Sequence, residues 1–300
     1  MEAKIISELR ANHKLKDILD VLQFSKSTYM YWQRRENQPN KDAQIEQLIL
    51  EIFQENKENY GYRRIDAELR KRGHIVNHKK ILRIMVKLGI KCVSFTRKSR
   101  KYSSYRGVVG KISQNRIHRR FNTTLARQKL TTDTSEFKYY ESSKDGRVII
   151  KKAYLDAYLD MFNGEIVSFR ISKSPNAQAI MDALDEAITS TLACPYRSTI
   201  HSDQGWAYQM KKYKKKLKTN RLFQSMSRKG NCLDNSPMEN FFGVLKQEMY
   251  HGTTFGSFKE LEAAIKEYIY YYNNHRIKMK LGGLSPVDYR LSTEQTLVSI

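Results

Sequence analysis

The spacing of apolar residues changes near residue 128, and this change divides the chain into two kinds of structure. Before it, apolar residues recur at helical spacing. After it come three runs typical of strands, 129–137, 148–158 and 165–171, with Phe162-Asn-Gly164 as a hairpin turn. The later segments are predicted as helix 175–191, strand 198–202, helix 206–217, strand 222–225 and a helix from Ser236. Hairpin strands followed by this alternation predict an α/β layer with a mixed sheet.

Residues 1–40 are predicted to form a small helical domain. Helices over 15–22 and 26–35 are separated by a short break, which is the layout of a helix-turn-helix. A plain helical hairpin used for packing has the same pattern, so both interpretations stay open. The second helix carries the candidate DNA-binding residues Ser27, Thr28, Tyr31, Arg34 and Arg35.

Residues 41–90 are predicted as a second helical, DNA-binding domain. Gly73 ends one of its helices, Asn77 caps the next, and Gly89 ends that one. The connection at 60–64 combines aromatic and cationic groups, which suits phosphate contact or tyrosine packing beside solvated arginines equally well. The candidate DNA-binding residues here are Tyr62, Arg63, Arg64, Lys79 and Lys80.

Charge identifies the class of partner. The chain has 54 Lys+Arg against 31 Asp+Glu, a formal net charge of +23, and such an excess favours a polyanion because each neutralised phosphate releases a counterion. No apolar run approaches the roughly 20 residues of a spanning helix, and the N-terminus lacks a signal-peptide core. Three widely separated cysteines without zinc spacing predict reduced, buried thiols in a cytoplasmic, nucleoid-associated protein.

A basic linker is predicted over 91–125. Within it, residues 91–120 contain ten Lys/Arg and no acid, which is typical of a solvated arm that tracks DNA. Its candidate contacts are Arg97, Lys98, Arg100 and Lys101. A catalytic core over 126–250 would follow, and then a C-terminal helix and tail, 251–300, with residues 281–289 as a loop packed on the core.

Three carboxylates could hold a metal centre for phosphodiester chemistry. Asp133 lies within a predicted central strand, Asp203 follows a strand end, and Glu239 lies in the first turn of a predicted helix, with 35 residues between it and Asp203. Two Mg²⁺ ions need only such oxygen ligands and substrate phosphates. Each acid also has a structural explanation: a surface strand residue, a turn residue before Gly205, and the Glu of a capping box with Ser236 as N-cap.

Other polar residues in the same segments are weaker candidates. Arg228, Lys229, Asn231 and Lys246 would lie near a DNA substrate if the loop before Ser236 does. Four further acids could replace one of the three: Glu136, Asp156, Asp160 and Asp234. His201 is more typical of a structural strand histidine than of a ligand. No Walker-type phosphate loop is present, so nucleotide hydrolysis is not supported.

Three motifs resemble bacterial insertion-sequence transposases, namely the second-reading-frame product of the family whose core is similar to retroviral integrase. They are His201-Ser-Asp-Gln-Gly205, the segment from Ser225 to Glu248 that contains Asn-Cys-Leu-Asp-Asn-Ser-Pro-Met-Glu, and Tyr271-Tyr-Asn-Asn-His-Arg276 with Leu284-Ser-Pro-Val-Asp-Tyr289. Residues 60–65 and 76–80 resemble the helical domain that precedes that core. The family has a bulky apolar residue two positions before its first Asp, where this chain has Thr131.

The resemblance implies an RNase H-like core and a D-D-E triad of Asp133, Asp203 and Glu239 binding two Mg²⁺, which Mn²⁺ would replace. It also implies 3′-end cleavage by water, strand transfer by the freed 3′-OH, and a homo-oligomer, expected to be a dimer, on element ends and target DNA. A shorter upstream frame is a further implied partner. A non-catalytic regulator of transposition and a structure-selective nuclease are the alternatives.

Overall fold

The computed structural model describes residues 2–36, 38–92, 112–143, 145–228 and 231–298, which form two compact units, 1–51 and 52–300. The predicted DNA contacts at Arg97, Lys98, Arg100, Lys101 and Lys229 lie outside the described residues. Among those that are described, no helix is long and apolar enough to cross a membrane. Cys92 and Cys194 form no disulfide among the described residues, and both are half-buried rather than buried as predicted.

The first unit contains three short helices and most of a fourth: α1 (Glu2–Leu9), α2 (Leu15–Val21), α3 (Lys26–Glu36) and α4 (Ala43–Glu55). Its small core joins Ile6, Ile18 and Leu19 to the fully buried Tyr29 of α3. The Tyr29 hydroxyl lies 3.3 Å from Ser7 Oγ. Because Tyr29 turns inward, Tyr31, Arg34 and the other candidate residues of α3 stay exposed.

In the second unit, α5 (Tyr62–Lys71) and α6 (His78–Lys87) form a helical pair. The predicted signals are confirmed: Gly73 and Gly89 have φ of 82° and 67°, and Asn77 accepts a 2.9 Å hydrogen bond from the Lys79 amide. The segment 60–64, predicted as a connection, instead enters α5 at Tyr62, with Gly61 as N-cap. Tyr60 is fully buried, and its hydroxyl accepts a 2.9 Å hydrogen bond from the Ile277 amide.

The five-stranded mixed sheet is as predicted. Its strands are β1 (Lys129–Ser142), β2 (Val148–Asp160), β3 (Ile166–Ser172), β4 (Thr199–Ser202) and β5 (Phe223–Met226), in the order β3-β2-β1-β4-β5. β1, β2 and β3 pair antiparallel, whereas β4 runs parallel to both β1 and β5. β1 is therefore the central strand. β4 pairs only with its first residues, Lys129–Thr131, so β4 ends beside the part of β1 that leads to Asp133.

Six helices accompany this sheet: α7 (Ala177–Thr191), α8 (Trp206–Gln209), α9 (Lys211–Thr219), α10 (Ser236–Leu245), α11 (Phe258–Asn274) and α12 (Pro286–Val298). One buried cluster joins α10 and α11 to Phe137 and Ala157, and the other joins α7 and α9 to Tyr158 and Ile200. Alternate residues of the strands thus face opposite layers of helices.

Two predicted elements differ. The single helix predicted over 206–217 is broken at Met210, where ψ is 141°. Tyr208 and Tyr213 both enter the α7-side core with ring centroids 5.5 Å apart, and five residues along a continuous helix would turn them about 140° apart. The predicted loop 281–289 contains the start of α12, because Ser285 caps it by accepting a 3.2 Å hydrogen bond from the Asp288 amide.

The end of the predicted linker packs on the core. Asn115 donates a 3.1 Å hydrogen bond to Asp234, the Arg116 amide donates one of 2.8 Å to Ser225 Oγ, and Ile117 is buried. These contacts precede the predicted domain boundary at residue 126. They attach the chain to β5 and to the loop before α10.

Candidate active site

Asp133 lies on the central strand, on the face that α10 covers. It pairs across the sheet with Ala157, which belongs to the α10 and α11 cluster. The Thr134 amide donates a 2.8 Å hydrogen bond to Asp133 Oδ1. Within the described residues, Asp133 Oδ2 has no hydrogen-bond partner, so one oxygen is available to a ligand.

Asp203 follows the last residue of β4, next to β1. Its Oδ1 accepts a 2.8 Å hydrogen bond from the Gly205 amide. A Cβ at position 205 would lie 2.9 Å from that oxygen and 3.3 Å from the Tyr208 ring, so only glycine fits beside the carboxylate. The turn that the sequence motif predicted therefore fixes the orientation of Asp203 and leaves its second oxygen without a partner in the described part of the chain.

Glu239 lies in the first turn of α10 but is not part of a capping box. A 3₁₀ turn, Cys232–Asn235, runs directly into α10, so Ser236 already has helical angles (φ −55°, ψ −31°) and Asn235 takes the N-cap position. The predicted N-cap at Ser236 is therefore wrong by one residue. The Glu239 side chain is exposed and forms no hydrogen bond or salt bridge with the described residues.

Electrostatics connects the three acids. Burial, and next the adjacent Asp203 carboxylate, raise the pKa of Asp133 well above its usual value, with a smaller contribution from Glu239. Burial also raises the pKa of Asp203, and partial desolvation raises that of Glu239. A bound cation stabilises the charged form of carboxylates that lie close together and are poorly solvated.

The donor set fits a hard divalent metal. In the described residues no group of three His, Cys, Asp or Glu side chains is arranged to hold an ion. Mg²⁺, however, takes one or two carboxylates and completes its shell with water and substrate phosphates. Asp133 and Asp203, each with an oxygen free of hydrogen bonds, match that requirement, and Glu239 stands nearby on α10.

The remaining acids have other partners. Asp156 lies on the opposite face of the sheet from Asp133, where Thr134 Oγ1 donates to it at 2.5 Å. Asp160 binds Arg127, with Nη1 3.3 Å from Oδ2. Asp234 is buried and receives both Arg228 Nε and Nη2 at 2.9 Å, which holds its pKa well below the usual range. Glu136 forms an exposed 3.0 Å ion pair with Lys152.

His201 is a structural residue. It is fully buried, its Nδ1 lies 2.8 Å from Ser225 Oγ, and its Nε2 lies 3.1 Å from Ser227 Oγ. Burial lowers its pKa to about 4. The neutral ring joins β4 to β5 and has no nitrogen left for a metal.

The predicted DNA-binding residues of α5 and α6 fall into two groups. The rings of Tyr62 and His78 stack with centroids 6.2 Å apart, Arg63 lies over Tyr62, and the exposed Lys79 follows in α6. These residues form a basic, aromatic surface. Arg64 instead turns inward over Tyr60, and its Nη1 lies 3.8 Å from Glu248. Lys80 is half-buried.

Near the acids, the loop residues are engaged within the protein. Asn231 Oδ1 accepts a 2.9 Å hydrogen bond from Arg119, which also binds Asp234. Lys246 Nζ lies 5.0 Å from the centre of the Phe137 ring; burial lowers the pKa of this lysine, while Glu136 and Asp133 oppose that effect. The charge of Lys246 thus interacts with the carboxylate of Asp133.

Sequence reasoning missed two residues that assemble the site. Thr131, at the position where the resembling family has a bulky residue, is fully buried and donates from Oγ1 to Asn235 Oδ1. Arg119, which was predicted to belong to a solvated arm, forms an ion pair with the buried Asp234. The sequence did hold a signal for Thr131: residues two positions apart on a strand point to the same face, so Thr131 lies on the α10 side of β1 with Asp133.

Models of known protein families match both the helical front and the sheet-containing part of the chain. Models of the integrase core domain match residues 124–232 and 239–297, and a model of an HTH-like domain matches 39–99. The HTH-like match thus covers the predicted second helical domain, 41–90. The helix-turn-helix layout at 15–35 stays a prediction.

The relatives are transposases. The InsK transposase of insertion sequence element IS150 from Escherichia coli K12 is 39% identical over 290 residues, covering 97% of this chain and 98% of that protein. A transposase-like protein of Haemophilus influenzae is 46% identical over 215 residues, covering 72% of this chain and 93% of its own. The HTLV-2 integrase catalytic core domain in complex with magnesium aligns with a TM-score of 0.40 and 17% identity over 56% of this chain and 98% of its own. The chain therefore belongs to the insertion-sequence transposases that join an HTH-like domain to an RNase H-like integrase core.

Proposed function

We propose that this transposase cleaves the 3′ ends of its insertion sequence and transfers them to target DNA through the triad Asp133, Asp203 and Glu239, with Mg²⁺ as cofactor and Mn²⁺ as a substitute. The observation that carries the proposal is the register of the sheet: Thr131 pairs with His201 in parallel strands, so Asp133 and Asp203, each two residues further along, lie side by side. The charge of Glu239, on α10, also raises the pKa of Asp133. Separate segments thus contribute acids that form no salt bridge with any residue the structure describes.

The roles of the residues follow from their surroundings. Asp133 and Asp203 would hold metal through the oxygens that the backbone amides leave free, and Glu239 would complete the site from α10. Bound Mg²⁺ would supply activation of the attacking oxygen and stabilisation of the leaving oxygen. Lys246 would attract the scissile phosphate, because its charge lies in a poorly solvated position beside Asp133.

The substrate and partners follow from the same proposal. The net charge of +23 and the surface around Arg63 and Lys79 suit the phosphates of duplex DNA. A homodimer on DNA would supply one active site to each element end, and an upstream-frame protein is a further partner. The place of action would be the bacterial nucleoid.

Strand transfer by the purified chain tests the proposal. The substrate is a labelled element-end duplex, incubated with a target duplex in Mg²⁺, in Mn²⁺ and in EDTA. We expect joined product with either metal and none in EDTA. Nicks without joined product would indicate a nuclease, and binding without cleavage, even with the upstream-frame protein added, would indicate a regulator.

A further inference from the structure

A large cavity adjoins the helix that carries Glu239. Its volume is about 1050 Å³, at the upper end of ligand pockets, which span roughly 300–1,000 Å³. Most of its lining comes from α10, residues 119–122, the turn at 161–164 and residues 276–281, and Arg64, Leu159 and Tyr272 complete it. Glu239 lies on the same helix between the wall residues Pro237 and Asn240, so the cavity begins within one turn of a triad acid.

The wall is cationic and contains no carboxylate among its described lining residues. Six of those residues are Arg or Lys: Arg64, Arg119, Arg120, Arg276, Lys278 and Lys280. Arg64 and Arg276 share Glu248, and Arg119 shares Asp234 with Arg228. Four arginines therefore share two carboxylates. The wall of the cavity keeps a net positive charge.

Three of the lining cations have no acidic partner. Arg120, Lys278 and Lys280 form no salt bridge within the described part of the chain. Lys278 Nζ lies 2.8 Å from Tyr272 Oη and 3.2 Å from the Gly164 carbonyl, which are neutral oxygens. Burial accordingly lowers the pKa of Lys278 to about 7. An anion in the cavity would offset this desolvation.

Aromatic rings accompany these cations. Phe121 and Phe162 both line the cavity, and the ring of Phe162 is supported by Tyr289 at 5.4 Å between centroids. Cations that follow a phosphate backbone, together with aromatic faces for bases, are the features of single-strand binding sites. A duplex keeps its bases stacked inside, so its bases could not reach these rings.

We propose that this cavity binds an unpaired stretch of DNA strand beside the catalytic acids, holding its phosphates on Arg120, Lys278 and Lys280. The proposal rests on the proposed function only for its biological role, which is to receive strand separated at the cut end. The binding itself can be measured whether or not the chain transfers strands.

The test compares two probes by fluorescence anisotropy in EDTA: a blunt duplex, and the same duplex with an unpaired overhang of about eight nucleotides at its 3′ or 5′ end. We expect the overhang to tighten binding on the order of tenfold. Arg120→Gln with Lys280→Gln should abolish most of that gain. Phe121→Leu, which changes no charge, should reduce it as well.

The matched control is Lys215→Gln with Lys218→Gln, two exposed lysines of α9 that do not line the cavity. It removes the same charge, so it should weaken binding of both probes alike and keep the gain from the overhang. Thermal melts verify that every variant is folded. Equal affinity of the native chain for the two probes would overturn the proposal, as would an undiminished gain in the cavity variants or an equal loss in the control.

Discussion

Asn235 fastens the start of α10 to the central strand: its side-chain amide donates a 3.1 Å hydrogen bond to the Thr132 carbonyl. Its other amide atom, Oδ1, accepts from Thr131 Oγ1. Asn235 is buried and stands four residues before Glu239, and Thr132 directly precedes Asp133. The two contacts therefore couple the position of Glu239 to that of Asp133.

Replacing Asn235 with Ala should lower both stability and activity. Two buried hydrogen bonds are lost, and an unsatisfied Thr132 carbonyl remains, so we expect unfolding to become easier by roughly 2 kcal/mol. Strand transfer by the folded fraction should fall, because Glu239 is no longer held in position relative to Asp133. Asn220→Ala, which removes a hydrogen bond within the exposed end of α9, is the control. Unchanged activity of folded Asn235→Ala would show that the anchor has no positioning role.

Glu239→Gln should separate catalysis from folding. Since Glu239 has no partner among the described residues, the free energy of unfolding should change by less than about 0.5 kcal/mol. Strand transfer should fall roughly a thousandfold or more, because the neutral amide loses the charge that a metal requires. Glu260→Gln, at the capping box that opens α11, is the matched control and should retain activity. Full transfer by Glu239→Gln would exclude the residue from the triad.

Divalent metal should stabilise the native chain through Asp133. We expect saturating Mn²⁺ or Mg²⁺ to raise the melting temperature by about 2–4 °C, since a ligand that binds only the folded state stabilises it. Asp133→Asn should abolish that increase and should itself raise the melting temperature without metal, because it removes a charge that burial disfavours. Asp185→Asn, at an exposed position on α7, should respond to metal like the native chain. An identical metal response in Asp133→Asn would contradict the assignment.

Asp156 should make stability depend on pH. Burial raises the pKa of Asp156 to about 6, from an ordinary value near 3.8. Between these values the folded chain retains a proton that the unfolded chain has lost, so the free energy of unfolding falls as pH rises from about 4 to about 6. The contribution is at most about 3 kcal/mol.

Asp156→Asn removes that dependence. In EDTA the variant should be more stable than the native chain near about pH 7.5 and similar to it near about pH 4. Chemical denaturation at the two values measures this difference, with Asp185→Asn as the exposed control. A variant that is less stable at the higher pH would mean that the Asp156 charge is stabilised in the fold.

Duplex affinity should fall steeply with salt, because counterion release dominates binding by so basic a chain. Arg63→Gln with Lys79→Gln should reduce the slope of log K against log salt by about two, if both contact phosphates. The control is Lys259→Gln with Lys266→Gln on α11, which removes the same charge without changing α5 or α6. A salt-independent affinity would remove the basic surface of α5 and α6 from the proposal.

The sequence by itself determined most of the fold. Periodicity, caps and turn residues are local, so the change near residue 128, the cap at Asn77 and the turn before β3 predicted a helical front and a mixed sheet. The break at Met210 and the cap of α12 were missed. The first depends on two tyrosines sharing a distant core, although the second had a local signal in Ser285 and Asp288.

The site needed the tertiary structure. Sequence proposed three acids and left four substitutes open, because a carboxylate on a strand carries no local record of which face is buried, or against what. Strand pairing placed Asp133 on the α10 face and Asp156 on the other, and ion pairs engaged Asp160 and Asp234. Sheet order then brought β4 beside β1, and Asn235 joined α10 to β1. Local pattern decides what each segment becomes, whereas contacts between residues about 70 to 100 positions apart arise only when the segments pack.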